Sequence, residues 1–231
     1  MSATTVAATT DEAVAGVRDG ATVLVGGFGL AGMPFDLIDA LIRQGAGDLT
    51  VVSNNAGNGD VGLAALLGAG RVRKVICSFP RQSDSHVFDG LYRAGRLELE
   101  VVPQGTLAER MRAAGAGIGA FYSPVGAGTP LAEGKETRRI GGRAHVLEYP
   151  LRGDVALIGA HRADTAGNLV YRRTARNFGP VMATAAGTVI AQVAEIVPAG
   201  RIDPETVVTP GIYVDRLVRA ESRRLTVRGA R

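Results

Sequence analysis

The chain has 231 residues, of which 46% are hydrophobic, and its formal net charge is +4. This length and composition fit one α/β domain with a full core, and the small, dispersed charge argues against a nucleic-acid-binding protein. The single cysteine, Cys77, excludes an intramolecular disulfide and suits a reducing compartment.

The first predicted elements surround a glycine-rich turn. A helix start at Thr10 is followed by a turn, Asp19-Gly20, and by an apolar run, Ala21–Val25, which is short and β-branched like a buried strand. Residues 26–32 are glycine-rich, and a helical spacing of apolar residues begins at Pro34. Such a turn places backbone N–H groups at the carboxyl end of a sheet, where open α/β sheets bind ligands.

The same order of strand, loop and helix then recurs along the next part of the chain. The predicted strands and helices are 49–52 and 60–67, 71–77 and 83–94, and 97–102 and 107–114. Asp60 is expected to cap the first of these helices. Strand–loop–helix units in succession predict an α/β fold, with a mostly parallel sheet that is flanked by helices.

In the second half of the chain, the regular succession of strand, loop and helix ends. Residues 116–131 are too rich in glycine and proline to predict a regular element, and Thr137–Tyr149 predicts a β-hairpin around Gly141-Gly142. The remaining predictions are strands at 155–158, 167–171 and 188–193, a helix at 177–186, and a frayed basic tail at 220–231. The whole chain, residues 1–231, is interpreted as a single domain.

The glycine-rich turn matches no nucleotide-binding motif in full. Gly27, Gly29 and Gly32 fit the GxGxxG spacing, but the strand predicted at 49–52 ends without the acidic residue of a dinucleotide-binding fold. No GKS or GKT is present, which excludes a P-loop. The spacing alone leaves two interpretations open: a ligand-binding loop, or a tight turn that needs positive φ angles.

Residue chemistry indicates a binding pocket without a nucleophile or a metal. None of the three histidines lies in a predicted loop beside a serine or cysteine, and Cys77 is interpreted as a buried, small hydrophobic residue. Glu133 is expected to form a surface ion pair with Lys135. No CxxC or HxxxH spacing occurs, so no metal site is predicted.

The sequence also carries expectations about location. Residues 1–16 lack the basic and apolar regions of a signal peptide, and no apolar run approaches the length that spans a membrane. We therefore expect a cytoplasmic protein that binds neither membranes nor nucleic acids.

One block of sequence resembles a known family. Asp19–Pro34, DGATVLVGGFGLAGMP, matches position by position the first motif of family I CoA-transferases: an Asp-Gly turn, apolar residues, Gly-Gly-Phe and Gly-x-Pro. Further blocks match in the same order, at 53–67, 101–121, 132–136 and 167–186. The chain is therefore similar to the A (alpha) subunit of this family over about residues 13–218.

The resemblance implies an explanation for the missing nucleophile. The family is heteromeric, and its nucleophilic glutamate belongs to a Ser-Glu-Asn-Gly motif on the B subunit, a motif that is absent here. It implies a CoA-transferase or ribose-phosphate-isomerase-like fold with a β-hairpin excursion, and a partner B subunit in a heterodimer or an A2B2 heterotetramer. It further implies that no cofactor is permanently bound and that a CoA thioester is a substrate.

The resemblance also implies a reaction. Residues 73–100 are most similar to family members that act on 3-oxoadipate, which implies CoA transfer from succinyl-CoA to 3-oxoadipate in bacterial breakdown of aromatic compounds. An acceptor such as acetoacetate or another short 3-oxoacid is the first alternative. The second is a ligand sensor of related fold, against which the lack of a DNA-binding helix pair argues.

Site residues follow from the same motifs. The resemblance implies that Gln104 donates to the oxyanion of the reacting carbonyl. The positions implied to bind substrate are Gly26, Gly27, Phe28, Gly29, Asn54, Asn55, Gly126 and Gly128. The alternative for the three amide side chains is that they only cap their turns.

Two further expectations concern charge and assembly. Succinate and 3-oxoadipate are dicarboxylates, so a cation should meet the distal carboxylate, and Arg81 lies in a loop after a predicted strand. The alternative is a solvated surface arginine. Residues 174–186 are expected to present an apolar face to the B subunit.

Overall fold

The structure, a computed structural model, describes residues 4–220. The predicted basic tail therefore lies outside the described residues, apart from Ala220. Twelve strands are present in the described part: β1 (Thr5–Ala7), β2 (Thr22–Val25), β3 (Leu49–Val52), β4 (Val72–Cys77), β5 (Glu98–Val101), β6 (Phe121–Ser123), β7 (Thr137–Ile140), β8 (Arg143–Glu148), β9 (Gly153–Asp164), β10 (Leu169–Val170), β11 (Ala186–Val197) and β12 (Arg216–Arg219).

Six α-helices accompany these strands in residues 4–220: α1 (Thr10–Val14), α2 (Phe35–Gln44), α3 (Leu63–Gly68), α4 (His86–Arg93), α5 (Gln104–Gly115) and α6 (Gly179–Ala185). Short 3₁₀ turns lie at Pro130–Ala132, Arg173–Arg176, Pro204–Thr206 and Gly211–Tyr213. None of the helices in the described residues is long and apolar enough to cross a membrane.

The main sheet follows the prediction of a mostly parallel α/β fold. Its strand order is β1-β12-β11-β9-β2-β3-β4-β5, and every neighbouring pair in that order is parallel. Only the short β10 runs antiparallel, against β9. The carboxyl ends of β2 to β5 therefore meet at one edge of the sheet, as the successive strand–loop–helix units predicted.

Both faces of this sheet are buried at its central strands, which explains the continuous apolar runs of β2 and β3. Side chains alternate between the faces: Val23 and Val25 of β2 pack with helices α1 to α4, whereas Leu24 packs with α5 and α6. Helix α2 begins after Pro34 and ends at Gly45, which adopts the left-handed conformation that favours glycine at a helix end.

A second, three-stranded sheet has the order β6-β8-β7 and is antiparallel. The predicted hairpin is confirmed: β7 and β8 are joined by Gly141-Gly142, and both glycines have the positive φ angles of a type I′ turn. The prediction of no regular element in 116–131 was wrong. Phe121–Ser123 pairs with β8, because three residues can join an existing strand without a long apolar pattern of their own.

Two central strands are much longer than predicted. Residues 155–158 and 188–193 are only the apolar middles of β9 and β11, which pair with each other from Ala186–Gly153 to Val197–Asp164. The outer parts of both strands contain charged residues, which interrupt the apolar pattern that predicts a strand. Arg162 and Glu195 lie opposite each other in the register, and Arg162 Nε donates to Glu195 Oε2 at 2.7 Å.

Smaller corrections have local causes. Helix α3 is not capped by Asp60, because Gly62, with φ +55°, is the residue that precedes its first turn. The strand predicted at 167–171 shortens to Leu169–Val170, since Gly167 turns the chain with φ +89°. Strands β1 and β12 were not predicted, and β12 lies between β1 and β11.

Candidate functional site

A cavity of about 450 Å³ opens at the carboxyl ends of the parallel strands. The loops after β2, β3 and β4 and the start of α5 supply its walls. The lining residues are Phe28, Gly29, Asn54, Asn55, Ser78, Phe79, Gln82 and Gln104. Five of the predicted site residues therefore meet in one place, which is where open α/β sheets bind their ligands.

The loop between β2 and α2 forms one wall of this cavity. The Gly26 N–H still donates to the Leu157 carbonyl of β9 at 2.9 Å, so the loop leaves the sheet only afterwards. Phe28 and Ala31 then exchange backbone hydrogen bonds of 3.0 and 3.1 Å across a tight turn. Gly29, within that turn, has φ +59°, a conformation that glycine adopts at no steric cost.

Asn177 holds this loop from 150 residues away in the sequence. Its Oδ1 accepts from the Gly27 N–H at 3.0 Å, and its Nδ2 donates to the Ala31 carbonyl at 2.9 Å. Nδ2 also donates to the Thr174 carbonyl, and Oδ1 accepts from the Phe178 N–H. One side-chain amide thus fixes both ends of the turn, a role that no local pattern around Asn177 could predict.

Gly32 shows how closely the two segments approach. A Cβ atom added there would lie 2.3 Å from the Ala175 carbonyl oxygen and 2.8 Å from Asn177 Nδ2, and the residue has φ +72°. The Gly32 carbonyl in turn lies against Gly159, where an added Cβ would approach the carbonyl oxygen to 2.7 Å. The last glycine of the GxGxxG spacing therefore serves packing between segments, and not a nucleotide phosphate.

Amide and hydroxyl groups form the floor of the cavity. Asn54 Oδ1 accepts from Ser78 Oγ and from Gln104 Nε2, both at 2.7 Å. These three residues follow β3, β4 and β5, so the register of the parallel strands brings them together. Asn55 is only 1% exposed, and its Oδ1 caps its own turn by accepting from the Gly57 N–H at 2.8 Å.

Buried polar atoms without a partner are concentrated around this floor. Four such side-chain atoms are present in the described residues, and three of them belong to Ser53, Asn55 and Thr106. They are Ser53 Oγ, Asn55 Nδ2 and Thr106 Oγ1, on residues that flank Asn54 or follow Gln104. Folded proteins leave few buried polar groups unpaired, and of these three residues Asn55 lines the cavity.

The sequence predicted Gln104 in a turn before the helix. In the structure Gln104 is the first residue of α5. Pro103 precedes it and provides no side-chain cap, so the first N–H groups of the helix have no helical partner. The positive end of the α5 dipole therefore faces the cavity. Amide donors together with a helix N-terminus suit a negatively charged oxygen.

Among the described residues that line the cavity, none is a general base, so the hydroxyl of Ser78 has no group that could activate it as a nucleophile. The lining residues are all uncharged. Burial raises the pKa of the nearby Cys77 thiol to about 12, although a backbone hydrogen bond from Phe79 opposes the shift. The interpretation of Cys77 as a buried hydrophobic residue is confirmed, since a thiol must ionise to react. Residues 4–220 hold no cluster of three or more metal-ligating acid, histidine or cysteine side chains.

The structure places the remaining predicted residues elsewhere. Arg81 lines a neighbouring cavity of about 390 Å³ on the other side of Phe79, and its Nε donates to Asp89 Oδ1 at 2.6 Å. Gly126 and Gly128 lie in the loop after β6, with positive φ angles, and do not line the first cavity. Their predicted contacts with substrate remain predictions.

One expectation about the surface was wrong. Lys135 does not pair with Glu133: its Nζ donates to Oε1 of the buried Glu148 at 2.7 Å, because a buried carboxylate needs the cation more than an exposed one does. Within residues 174–186, Phe178 and Met182 are buried in the core that α5 and α6 share, and Val181 is half-buried. The expected contact of this range with the B subunit remains a prediction.

Comparisons with known proteins agree with this geometry. The chain is 68% identical over 206 residues to the A subunit of 3-oxoadipate CoA-transferase from Pseudomonas putida, an alignment that covers 89% of each chain. It is 61% identical over 216 residues to the protein of the same name from Acinetobacter baylyi, with 94% of this chain and 95% of the relative covered.

Solved structures share the fold. The crystal structure of an acyl-CoA transferase apoenzyme from Escherichia coli O157:H7 superposes with a TM-score of 0.82 over 94% of this chain, at 24% sequence identity. This chain spans 47% of that longer polypeptide. The family model for coenzyme A transferases matches residues 7–220. The chain, with its neutral amide cavity at the carboxyl edge of a parallel sheet, belongs to the coenzyme A transferase family.

Proposed function

We propose that this chain is the A subunit of a heteromeric 3-oxoadipate CoA-transferase. It acts with a B subunit that carries the nucleophilic glutamate, and the pair moves CoA from succinyl-CoA to 3-oxoadipate. The observation that carries the proposal is the cavity itself: among its described lining residues are hydrogen-bond donors, but no charged side chain and no base that could activate the Ser78 hydroxyl. Such a site can stabilise a reaction but needs a second chain to start it.

The relatives support the choice of substrate. Two proteins that are 68% and 61% identical to this chain carry the name of the A subunit of 3-oxoadipate CoA-transferase. Relatives named as the A subunit of succinyl-CoA:3-ketoacid coenzyme A transferase are also similar, at 57% and 48% identity in Xanthomonas campestris and Helicobacter pylori. The higher identity to the first group favours 3-oxoadipate over acetoacetate as the acceptor.

The cavity suits the charge that develops in the reaction. When the partner's glutamate carboxylate attacks the thioester carbonyl, the carbonyl oxygen becomes an oxyanion. The amides of Asn54 and Gln104, at the positive end of α5, are held in place before the charge appears, so little reorganisation is needed. Removing one such donor typically lowers kcat by about 10²- to 10³-fold.

The mouth of the cavity suits a partner chain. Phe28 and Phe79 line it from opposite loops, and they are 52% and 62% exposed. Apolar side chains around a polar cavity attract a second protein surface, because covering them removes apolar area from water. The B subunit, seated there, would deliver its glutamate and exclude water together. CoA enters and leaves this site as a thioester substrate, and not as a resident cofactor.

Arg81 is proposed to receive the distal carboxylate of the dicarboxylate substrates. It lines the neighbouring cavity, which shares Phe79 with the first one, and its side chain is 57% exposed beside Asp89. We expect Arg81→Ala to reduce the preference for 3-oxoadipate over acetoacetate in kcat/KM about tenfold. An unchanged preference would remove Arg81 from the site.

The decisive experiment is a CoA-transfer assay with succinyl-CoA and 3-oxoadipate. It is run with this chain alone, with the isolated B subunit, and with the two co-expressed, and 3-oxoadipyl-CoA is measured directly. The matched control replaces the glutamate of the partner's Ser-Glu-Asn-Gly motif by glutamine. A second series replaces 3-oxoadipate by acetoacetate.

The outcomes separate the parts of the proposal. Activity only in the mixture, lost with the glutamine variant, is the expected result. Activity of this chain alone would contradict the division of labour between the two chains. Turnover of acetoacetate with little or no turnover of 3-oxoadipate would keep the mechanism and overturn the substrate. Native mass measurement of the active mixture then distinguishes a heterodimer from an A2B2 heterotetramer.

A further inference from the structure

The amide floor of the cavity also contains Ser78, a residue of the 73–100 block to which the sequence motifs assign no role. It follows Cys77 directly at the carboxyl end of β4, while Asn54 and Gln104 follow β3 and β5. Its hydroxyl oxygen lies 2.7 Å from Asn54 Oδ1 and 3.1 Å from the Asn54 carbonyl oxygen. Both contacts fall within hydrogen-bond distance, but a hydroxyl has only one proton to donate.

The surroundings decide where that proton goes. The Asn54 carbonyl already accepts from the N–H groups of Ser78 and Phe79, at 3.2 and 3.0 Å. A carbonyl oxygen has two lone pairs, so these two donors fill its capacity. The shorter of the two Ser78 contacts is to Asn54 Oδ1, and Oδ1 still has a lone pair that can accept. The Ser78 O–H therefore donates to the side-chain oxygen of Asn54.

This bond sets the orientation of the Asn54 amide. Oδ1 then accepts from two donors, Ser78 Oγ on one side and Gln104 Nε2 on the other. Turning the Asn54 amide alone would set its NH₂ group against the Gln104 NH₂ group, donor against donor. Turning both amides would leave the Ser78 proton only the Asn54 carbonyl, which already accepts from two N–H groups. With Oδ1 occupied, Nδ2 makes no hydrogen bond to a residue within 4–220 and is left as a donor that belongs to the cavity.

We infer that Ser78 is a positioning residue for CoA transfer: its hydroxyl holds the Asn54 amide with Nδ2 toward the reacting carbonyl. This inference deepens the proposed function and rests on it. Ser78 does not itself touch the oxyanion in this arrangement. Its effect passes through Asn54, and so it should change the stabilisation of the transition state more than the binding of the thioester.

The variants follow from the chemistry of the hydroxyl. Ser78→Ala removes one of the two donors that hold Oδ1, and kcat is expected to fall about tenfold while KM for succinyl-CoA changes less than about twofold. Ser78→Thr keeps the hydroxyl and should recover most of kcat. Ser83→Ala is the matched control, because Ser83 is exposed in the same loop and lies outside the cavity.

A double-mutant cycle distinguishes positioning from general damage. In the co-expressed complex, Ser78→Ala should have little further effect in an Asn54→Ala background, since the hydroxyl acts only through that amide. Full additivity of the two substitutions would overturn the inference. So would an unchanged kcat in Ser78→Ala, or a failure of Ser78→Thr to recover activity that Ser78→Ala has lost.

A spectroscopic readout does not depend on activity. The chain has five asparagines, so ¹⁵N-asparagine labelling of this chain in the complex gives few side-chain amide signals, and Asn54→Asp identifies the pair from Asn54. Ser78→Ala should shift and broaden that pair, whereas Ser83→Ala should not. If the parent complex transfers no CoA, the proposed function fails, and these signals still decide whether Ser78 holds Asn54.

Discussion

The first half of the chain presents the site, and the second half holds it in place. Residues 19–115 form the strand–loop–helix units whose loops supply every residue that lines the amide cavity. Residues 153–197 supply no lining residue. They hold the glycine-rich loop instead: β9 pairs with β2, the strand before the loop, and Asn177 bonds to Gly27 and Ala31 within it. Recognition and support therefore lie in separate parts of the sequence.

The difference teaches that each half uses a different kind of constraint. The presenting loops are held mainly by local hydrogen bonds and by the register of adjacent parallel strands. The supporting half holds the loop by the close backbone approach of Ala175 to Gly32 and by the side chain of Asn177, which bonds to Gly27, 150 residues away in the sequence. Substitutions in the presenting half should change kcat at nearly unchanged stability, whereas those in the supporting contacts should change stability and kcat together.

The largest effect is expected at the contact between the halves. Gly32→Ala places a Cβ atom 2.3 Å from the Ala175 carbonyl oxygen, at a residue with φ +72°. Backbone must move to relieve this contact, so we expect a loss of about 4 kcal/mol in the free energy of unfolding, together with loss of activity. Urea denaturation of the complex and the transfer assay measure the two effects.

A second glycine separates the clash from the backbone conformation. Gly20 has nearly the same φ, +74°, but an added Cβ would meet nothing within 4 Å. Gly20→Ala should therefore lose only the about 1 kcal/mol that a left-handed alanine costs, and activity should persist. Equal losses in the two variants would show that close approach at Gly32 is not what joins the halves.

The next effect belongs to the presenting half alone. Gln104 is exposed at the start of α5, and its main described contact is the hydrogen bond to Asn54 Oδ1. Gln104→Ala should lower kcat about 10²-fold and leave the free energy of unfolding nearly unchanged. Arg112→Ala, on the same helix with an exposed partner in Glu109, is the control that should change neither quantity. A Gln104 variant with full kcat would contradict the oxyanion role.

Asn177 tests the support of the loop. Asn177→Ala removes the bonds to Gly27 and Ala31, and we expect a loss of about 2 kcal/mol in the free energy of unfolding, with a lower kcat. Asn177→Asp keeps an oxygen that accepts from the Gly27 N–H, but its second carboxylate oxygen faces the carbonyl oxygens of Ala31 and Thr174. The aspartate variant should therefore be no more stable than the alanine variant. A stable alanine variant with normal kcat would show that the loop holds itself.

The fold of the presenting half was readable from sequence because its signals are local. Short β-branched runs, turn residues and helical spacing each lie within a few residues, and they predicted β2 to β5 in the right order. In the supporting half the deciding interactions are distant. Charged residues such as Arg162 and Glu195 lengthen β9 and β11 by pairing across strands, which no window of one strand can show.

The sequence also predicted part of the site, namely the residues that lie in family motifs. Family motifs pointed to Phe28, Gly29, Asn54, Asn55 and Gln104, and these five line one cavity. The motifs do not predict a role for Ser78, because a lone serine after a strand is common. Its contact with Asn54 depends on how the neighbouring strand β3 ends. Asn177 was missed for the same reason at longer range. A hydrogen bond between loops is a property of the strand register, and not of the motif that carries either residue.

The smallest effect concerns an ion network within the presenting half, which Arg110 links to the segment before β9. Glu100 of β5 accepts from Lys74 Nζ at 2.6 Å and from Arg110 Nη1 at 2.9 Å, and Arg110 Nε also donates to the Tyr149 carbonyl at 2.9 Å. Partial burial acts to raise the pKa of Glu100, but the hydrogen bonds from Lys74 and Arg110 outweigh it, so the pKa lies below its ordinary value of 4.5.

The sign of the pH dependence follows from that lowered pKa. A carboxylate that is more acidic in the folded state stabilises the fold above the pKa of the unfolded chain, and this contribution is lost as the pH falls through the folded pKa. Glu100→Gln should therefore lower the Tm of the complex at neutral pH, and the difference from the parent should shrink as the pH falls below 4.5. Glu109→Gln, with its exposed partner Arg112, should give a smaller difference at every pH. A Glu100 difference that persists unchanged in acid would assign the effect to packing, and α5 would then be linked to the segment before β9 by the hydrogen bonds of Arg110 with Tyr149 and Leu151.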